Sequence, residues 1–322
     1  MSTNDETYLD DLEFYEEQLS RSQRDRKVAK RKQSARPASA AEVGGSAEAG
    51  SLTMTYVPAR FEAEWLRASL ASFYTDELIS DVLASVKGGK EASVYRCQAQ
   101  PHTGELLAAK VYRPRQFRNL RNDKLYRDGR TIRTPDGRPV KSTDDRLMRA
   151  LGKKTAFGKQ VSHTSWLMHE FTTLERLHQL GAAVPRPVAA NDNALLMSYH
   201  GDASTAAPTM NGVRLAAREA QRLFEEVLRN IELMLAQGLI HGDLSAYNIL
   251  YWEGKLTIID FPQITYAATN RNAREIFDRD VTRVCEYFIA QGVRAQPEQI
   301  AADLWERYVE ISPDESLSAA PM

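Results

Sequence analysis

The stretch that decides the fold runs Leu239-Ile-His-Gly-Asp-Leu-Ser-Ala-Tyr-Asn-Ile-Leu250. An apolar pair leads into Asp243, and Asn248 opens a second apolar run that is typical of a strand. Another strand-like run, Leu256-Thr-Ile-Ile-Asp260, ends on a carboxylate. Three oxygen-bearing side chains therefore stand at the ends of apolar segments. Magnesium-assisted phosphoryl transfer requires such a set, in which one carboxylate faces the attacking hydroxyl while an amide and a second carboxylate hold the metal. The alternative is a capped turn followed by an ordinary strand end.

A lysine in an apolar strand is the second signal. Leu106–Tyr112 is apolar except for Lys110, and a buried lysine is costly unless it is paired. Phosphates and a carboxylate are its natural partners, and Glu170 on an amphipathic helix over 166–177 is a candidate for the carboxylate. Upstream, Gly88-Gly89-Lys90 predicts a hairpin loop whose backbone N–H groups and lysine can approach phosphates.

The remaining pattern predicts helices on both sides of these strands. Helical spacing of apolar residues predicts helices over 60–84, 213–237, 273–290 and 297–308. Gly238 is expected to end the second of them. An apolar strand beginning at Ala194 breaks at Gly201 and suits a hinge between two lobes. Tyr247 is expected in the core, His241 is expected to bond backbone near the metal carboxylate, and Asp278 and Asp280 are expected to cap or pair.

Two segments carry charge without a core. Residues 1–20 hold seven acids and no base, and the whole of residues 1–55 is expected to be a disordered charged tail. Residues 113–159 hold fifteen bases and five acids, a basic insertion that is either a solvated loop or a surface for RNA, a ribosomal particle or an acidic protein.

Bulk properties exclude several classes of protein. The chain has 322 residues, a net charge of −1 and two cysteines, so a disulfide framework is not expected. No apolar run approaches membrane-spanning length, and the acidic N-terminus does not suit a secretory signal. We expect a cytoplasmic protein without a membrane partner, while the sequence does not indicate an oligomeric state.

Five motifs in order resemble the RIO-type atypical serine/threonine protein kinases. They are Gly89-Lys-Glu-Ala-Ser-Val-Tyr95, Ala109-Lys-Val-Tyr112, Leu196-Met-Ser-Tyr199, His241-Gly-Asp-Leu-Ser-Ala-Tyr-Asn248 and Ile258-Ile-Asp260. The phosphate loop is most similar to the branch reading Gly-Lys-Glu-Ala-x-Val-Tyr, and the alanine-rich composition favours a bacterial member. The resemblance implies an α+β, two-lobed protein-kinase-like fold, with a β-rich N-terminal lobe (56–197) and a truncated α-helical C-terminal lobe (198–322).

The resemblance also implies roles for individual residues with ATP and Mg²⁺ as cofactors. Lys110 would bind the nucleotide phosphates, oriented by Glu170, with Lys90 and Ser93 at the phosphate loop. Around the adenine, Met197 would guard the pocket, and Ser198 and His200 would offer backbone hydrogen bonds. Asp243 would accept the proton of the attacking group, and Asn248 and Asp260 would bind magnesium. In this family the carboxylate matching Asp260 has also been described as able to take up phosphate.

The expected function is phosphate transfer to serine or threonine of proteins, including the chain itself. Pro262 stands in the position after Asp260-Phe261 where ordinary protein kinases have glycine, and no Ala-Pro-Glu motif follows. A flipping activation segment and an ordinary peptide-docking platform are therefore not expected. One alternative is an ATP-switched assembly factor on a ribonucleoprotein or ribosomal particle. A second is a small-molecule phosphotransferase similar to aminoglycoside and choline kinases.

Overall fold

A computed structural model describes residues 52–89, 91–100, 104–113 and 156–310. Residues 1–51 of the predicted tail, the phosphate-loop Lys90 and nearly all of the basic insertion lie outside these residues. The tail prediction is wrong at its end, because Thr53–Met54 form a strand that pairs with residues 81 and 82. None of the described helices is long and apolar enough to cross a membrane.

A six-stranded sheet forms the first half of the described chain. Its order is β1-β2-β3-β4-β6-β5, where β1 and β2 are parallel and the other neighbours antiparallel. The strands are β1 (Thr53–Met54), β2 (Ile79–Lys87), β3 (Ala92–Ala99), β4 (Leu106–Tyr112), β5 (Pro187–Ala190) and β6 (Ala194–Ser198). Helix α1 (Arg60–Thr75) packs its buried Leu66, Leu70 and Phe73 on one face of the sheet. The long helix α2 (Ala156–Gln179) lies between β4 and β5 in the chain and carries Glu170.

The prediction of one helix over 60–84 is wrong beyond Thr75. Glu77 has a φ of 55°, which breaks the helix, and Ile79–Lys87 pairs with β3 instead. The register of this pair shifts at three places. Ile79 and Val82 are both buried, three positions apart, so their spacing imitates a helix although it arises from an irregular strand.

The second half of the chain is helical, with a short β-hairpin and a further antiparallel pair of short strands around the candidate residues Asp243, Asn248 and Asp260. Its helices are α3 (Ala217–Ala236), α4 (Ala273–Ala290) and α5 (Pro297–Trp305), and a π-helical turn continues α5 over Glu306–Glu310. The hairpin joins β8 (Ile249–Trp252) to β9 (Lys255–Ile258), and the antiparallel pair is formed by β7 (Leu239–Ile240), which precedes the hairpin, and β10 (Thr265–Tyr266), which follows it. Gly238, with a φ of 68°, follows α3 as predicted. These elements share one apolar core, separate from the core beneath α1.

Within the described residues the predicted α+β, two-lobed architecture is confirmed. β4 supplies Lys110 and α2 supplies Glu170, while Asp243 follows β7, Asn248 directly precedes β8 and Asp260 follows β9. The functional candidates therefore come from β4, α2 and the segments on either side of the β8–β9 hairpin.

Candidate active site

Lys110 joins the two parts of the fold. Its Nζ lies 2.7 Å from Glu170 Oε1 and 2.6 Å from Asp260 Oδ1. Its side chain is 12% exposed and that of Glu170 only 4%. Burial alone would lower the pKa of Lys110, but the carboxylates of Asp260 and Glu170 outweigh it and hold the pKa well above its usual range. The predicted pairing of lysine and glutamate is present, and Asp260 completes it from the other lobe.

Asp260 follows β9 and has a backbone conformation that residues other than glycine rarely adopt. Its φ is 72°, in the left-handed region that aspartate tolerates better than bulkier residues. Burial opposes ionisation, but the charge and hydrogen bond of Lys110 dominate and lower the pKa of Asp260. The carboxylate is therefore charged at neutral pH. Its side chain is 44% exposed, so it can meet a ligand that enters from solvent.

Two neighbouring residues of α4 bind the backbone of the loop that holds Asp243. Gly242 donates its N–H to Asp280 Oδ2 at 2.7 Å, and its carbonyl accepts from Arg279. Burial raises the pKa of Asp280, which is 3% exposed and also contacts Arg279. Asp280 of α4 therefore pairs inside the lobe, as the sequence indicated. Asp278 pairs with Arg274 on the same helix.

His241 serves the backbone beside the metal candidates. Its Nδ1 accepts the Asp243 N–H at 3.3 Å, which leaves the ring proton on Nε2. Nε2 then donates to the Ile259 carbonyl at 3.1 Å, one residue before Asp260. The ring is 2% exposed and packs on Phe261 at 4.9 Å between centroids. This is the structural role that the sequence predicted.

Asp243 is also bonded by Arg283 and Asn248. Arg283 of α4 donates to its Oδ1 at 2.9 Å, and the Asn248 amide donates to its carbonyl at 2.8 Å. The sequence did not single out Arg283. Arg283 lies three positions after Asp280 on α4, so both side chains face the loop that holds Asp243. This spacing becomes informative only once α4 is known to pack against that loop.

Asn248 and Asp260, the two candidate magnesium ligands, both offer hard oxygen atoms. The Asn248 amide nitrogen is used by the Asp243 carbonyl, so its oxygen is the atom left for a metal. Ile259 donates its N–H to the Asn248 carbonyl at 2.9 Å, which ties the two candidates together. One amide and one carboxylate fit Mg²⁺, which binds few protein oxygens and keeps several waters.

The hinge candidates lie at the end of β6 and just beyond it. Met197 pairs with Ala108 of β4 and is half-buried. Ser198 donates its N–H to the Arg186 carbonyl at 2.8 Å, and the His200 carbonyl accepts from Ala207 at 3.0 Å. Of the backbone groups of these two residues, the cited bonds leave the Ser198 carbonyl and the His200 N–H for a base. Burial lowers the pKa of His200, whose ring lies 3.3 Å from Thr257 Oγ1.

The phosphate-loop candidates are only partly described. Ser93 is 1% exposed in β3, opposite Val111 of β4, so it lies inside the sheet rather than on its surface. A Cβ at Gly89 would stand 2.7 Å from the Ala92 carbonyl, so the turn requires glycine there.

Two tyrosines have surroundings that the sequence did not predict. Tyr247 was predicted to be in the core and is 63% exposed, because the turn over Ala246–Asn248 buries Asn248 and turns the intervening side chain outward. Tyr112 was not singled out, yet its hydroxyl donates to Glu170 Oε2. The available signal was its position two residues after Lys110, on the same face of β4.

Comparisons with known proteins give one matching family model and several relatives. A family model described as the RIO domain matches residues 111–300. The RIO-type serine/threonine-protein kinase Rio1 of Haloferax volcanii is 29% identical over 217 residues, which are 67% of this chain and 66% of that protein. The Rio1 of Thermoplasma acidophilum is 30% identical over 135 residues, 42% of this chain and 69% of that protein.

A solved structure has the same fold. The Rio2 kinase-ADP/Mg²⁺-phosphoaspartate complex from Chaetomium thermophilum aligns with a TM-score of 0.53 and 20% identity, covering 80% of this chain and 71% of that one. The chain spans less than two thirds of the length of the first curated relatives, 66% in Haloferax volcanii and 43% in Serine/threonine-protein kinase RIO1 of Chaetomium thermophilum.

Proposed function

This chain belongs to the RIO domain family, and from that premise we propose that it is an ATP- and Mg²⁺-dependent serine/threonine protein kinase. The observation that carries the proposal is the position of Lys110 between Glu170 and Asp260, 2.7 and 2.6 Å away. A buried cation between carboxylates of both lobes is placed to clamp nucleotide phosphates. A fold alone does not establish an activity, so the proposal depends on these groups.

Each polar group has a task in this proposal. Lys110 binds the phosphates, with Lys90 and Ser93 at the phosphate loop, while Asn248 and Asp260 hold magnesium. Asp243 orients the acceptor hydroxyl and receives its proton. Magnesium supplies neutralisation of the phosphate charge when it is bound. The rate enhancement then comes from positioning and from preorganised charge rather than from covalent chemistry of the protein.

The adenine is proposed to lie beneath the segment that joins the lobes. Met197 borders it, the Ser198 carbonyl accepts from the base, and the His200 N–H donates to it. Phosphate uptake by Asp260 itself is a second outcome of the same site. It would give an ATPase cycle instead of stable protein phosphorylation.

The proposed substrate is a protein, and the proposed location is the cytoplasm. Cys97 and Cys285 are buried free thiols, which suits a reducing compartment. The basic insertion is proposed as a contact for RNA or a ribosomal particle on its charge alone, with ten more bases than acids over 113–159. Neither the insertion's partner nor the oligomeric state enters the catalytic proposal.

The test is turnover of labelled ATP with Mg²⁺ by the purified chain. Wild type is compared with Asp243→Ala, Asp260→Ala and the control Asp278→Ala, whose carboxylate pairs with Arg274 on α4. We expect label on serine or threonine, reduced about 100-fold or more by the first two changes and not by the third. Free phosphate with an alkali-labile adduct lost in Asp260→Ala would indicate an ATPase switch instead.

Two further assays address the alternatives. Transfer of label to small alcohols, in the absence of protein labelling, would favour a small-molecule phosphotransferase. ATP-dependent co-sedimentation with ribosomal particles would favour the assembly factor. A chain that neither binds nor turns over ATP would contradict the proposed function as a whole.

A further inference from the structure

Tyr112 is a buried residue that contacts Lys110 and Glu170, and the proposed mechanism gives it no task. It lies on β4 two residues after Lys110, so both side chains leave the same face of the strand. Tyr112 is 2% exposed, and its ring packs edge-on against Trp166 of α2 with centroids 4.8 Å apart. Its position is therefore fixed by the strand on one side and by the helix that carries Glu170 on the other.

The hydroxyl of Tyr112 completes the environment of Glu170. Glu170 Oε1 accepts from Lys110 and Oε2 accepts from the Tyr112 hydroxyl. Since the glutamate is 3% exposed, water is a poor substitute for either donor. With both oxygens engaged, the carboxylate has one favourable orientation, and that orientation directs Oε1 at the lysine.

The Tyr112 ring also faces the lysine itself. Lys110 Nζ lies 5.3 Å from the ring centroid, within the range of a cation–π contact. Burial and the neighbouring Glu170 carboxylate hold the pKa of Tyr112 well above its usual range, so the hydroxyl keeps its proton and remains a donor. The same side chain thus contacts both members of the ion pair.

We infer that Tyr112 is a positioning residue for nucleotide binding, which holds Glu170 in the orientation that presents the Lys110 ammonium to the phosphates of ATP. The inference rests on the proposed function and adds a third member to the lysine–glutamate pair. Tyr112 does not touch the nucleotide in this role. Its effect passes through Glu170, and this dependence is what an experiment can measure.

The test is a double-mutant cycle read as equilibrium affinity for ATP. Tyr112→Phe removes the hydroxyl but keeps the ring on Trp166, and we expect ATP to bind about tenfold more weakly, as for the loss of one hydrogen bond to a charged group. In a Glu170→Ala background the same substitution should have little further effect, because the residue it acts through is gone. In steady state the change should fall mainly on the KM for ATP.

Tyr251→Phe is the matched control. Tyr251 is a half-buried tyrosine of β8, and its hydroxyl also donates to a carboxylate, Glu219 Oε1 at 2.6 Å. That carboxylate belongs to α3, outside the proposed nucleotide site. Tyr251→Phe should therefore leave ATP affinity unchanged.

Three results would overturn the inference. They are unchanged ATP affinity in folded Tyr112→Phe, equal losses in the wild-type and Glu170→Ala backgrounds, and the same loss in Tyr251→Phe. If Tyr112→Phe does not fold, Glu170→Gln takes its place, and its unchanged ATP affinity also overturns the inference because Tyr112 acts only through Glu170. Failure of the proposed function is distinct, since wild type itself would then bind no ATP.

Discussion

The guanidinium of Arg283 lies 2.9 Å from the carboxylate of Asp243, so a cation from α4 holds the group proposed to receive the substrate proton. Both side chains are about two-fifths exposed, 42% for the arginine and 41% for the aspartate. An ion pair of this exposure contributes little to stability, about 0.2–1 kcal/mol. Its consequence is the orientation of Asp243 rather than the persistence of the fold.

Arg283→Gln should lower kcat several-fold and leave the KM for ATP nearly unchanged. The substitution removes the donor that fixes one carboxylate oxygen, while Lys110 and its partners stay in place. Initial rates of protein labelling at varied ATP concentration measure both constants. The expected loss is about 3–10-fold, the size of one exposed charge-assisted hydrogen bond.

Arg274→Gln is the control for this prediction, because it changes the same residue type on the same helix where the partner is Asp278. It should leave kcat as it is. A rise in kcat for Arg283→Gln would contradict the orienting role. It would indicate that the arginine restrains Asp243 in the resting chain and must leave before the reaction.

His200 should make the folded state less stable as the solution becomes acidic. Burial lowers its pKa, and its ring faces the hydroxyls of Ser198 and Thr257. The unfolded chain takes up a proton on this histidine as the pH falls through about 6.5, whereas the folded chain resists it. The unfolded state then binds more protons, so the free energy of unfolding falls with pH below about 6.5.

His200→Gln should make this fall shallower. Urea unfolding at about pH 7.5 and about pH 5.5 gives the two free energies to be compared. Equal slopes for wild type and His200→Gln would refute the assignment of the effect to this ring.

The sequence predicted those functional candidates that contrast with the apolar residues next to them in the chain. Lys110 is conspicuous as a charge in an apolar strand, and Asp243, Asn248 and Asp260 are conspicuous as polar residues that follow or precede apolar runs. Their pattern is local, so it survives without knowledge of the fold. The lysine–glutamate pair followed from the cost of burying an unpaired charge.

The remaining features depend on contacts between distant segments. Arg283 contacts Asp243 only because α4 packs against the loop that holds Asp243. Tyr112 contacts Glu170 only because α2 packs against β4. The helix expected over 60–84 failed for a related reason, because pairing with β3 decided the conformation of Ile79–Lys87 against its helical spacing. Tyr247 is exposed because of the direction of a single turn, which its apolar character does not reveal.

Asn248→Ala should raise the Mg²⁺ concentration needed for half-maximal labelling about tenfold. The substitution removes one of the two proposed protein oxygens, and Mg²⁺ binds through few such ligands. Asn248→Asp separates this effect from the hydrogen bond to the Asp243 carbonyl. The aspartate keeps an oxygen ligand and loses the amide donor, so kcat should fall while the Mg²⁺ requirement stays near that of wild type.

The control for the metal prediction is Asn193→Ala, an exposed asparagine between β5 and β6. Its Mg²⁺ dependence should match wild type. An unchanged Mg²⁺ requirement in Asn248→Ala would remove this residue from the proposed metal site. Asp260 would then be the remaining protein ligand among the described candidates.

Gly242→Ala should damage both the fold and the activity, because two separate restraints meet at this glycine. Its φ of 87° is unfavourable for alanine, and a Cβ there would stand 2.3 Å from the Gln263 carbonyl. Gly292 has a similar φ of 92°, but a Cβ there would meet no atom within 4 Å. Gly292→Ala therefore measures the conformational cost alone, about 1–2 kcal/mol in the free energy of unfolding.

The difference between the two alanine variants isolates the close approach of the catalytic loop to Gln263. We expect Gly242→Ala to lose about 3 kcal/mol or more, with phosphate transfer reduced further than folding explains, since a shift of Gly242 moves Asp243. Urea unfolding and labelling rates at a temperature where both variants are folded give the comparison. Equal losses in the two variants would mean that the loop can move away from Gln263 at little cost, and that Asp280 and Arg279 do not fix it.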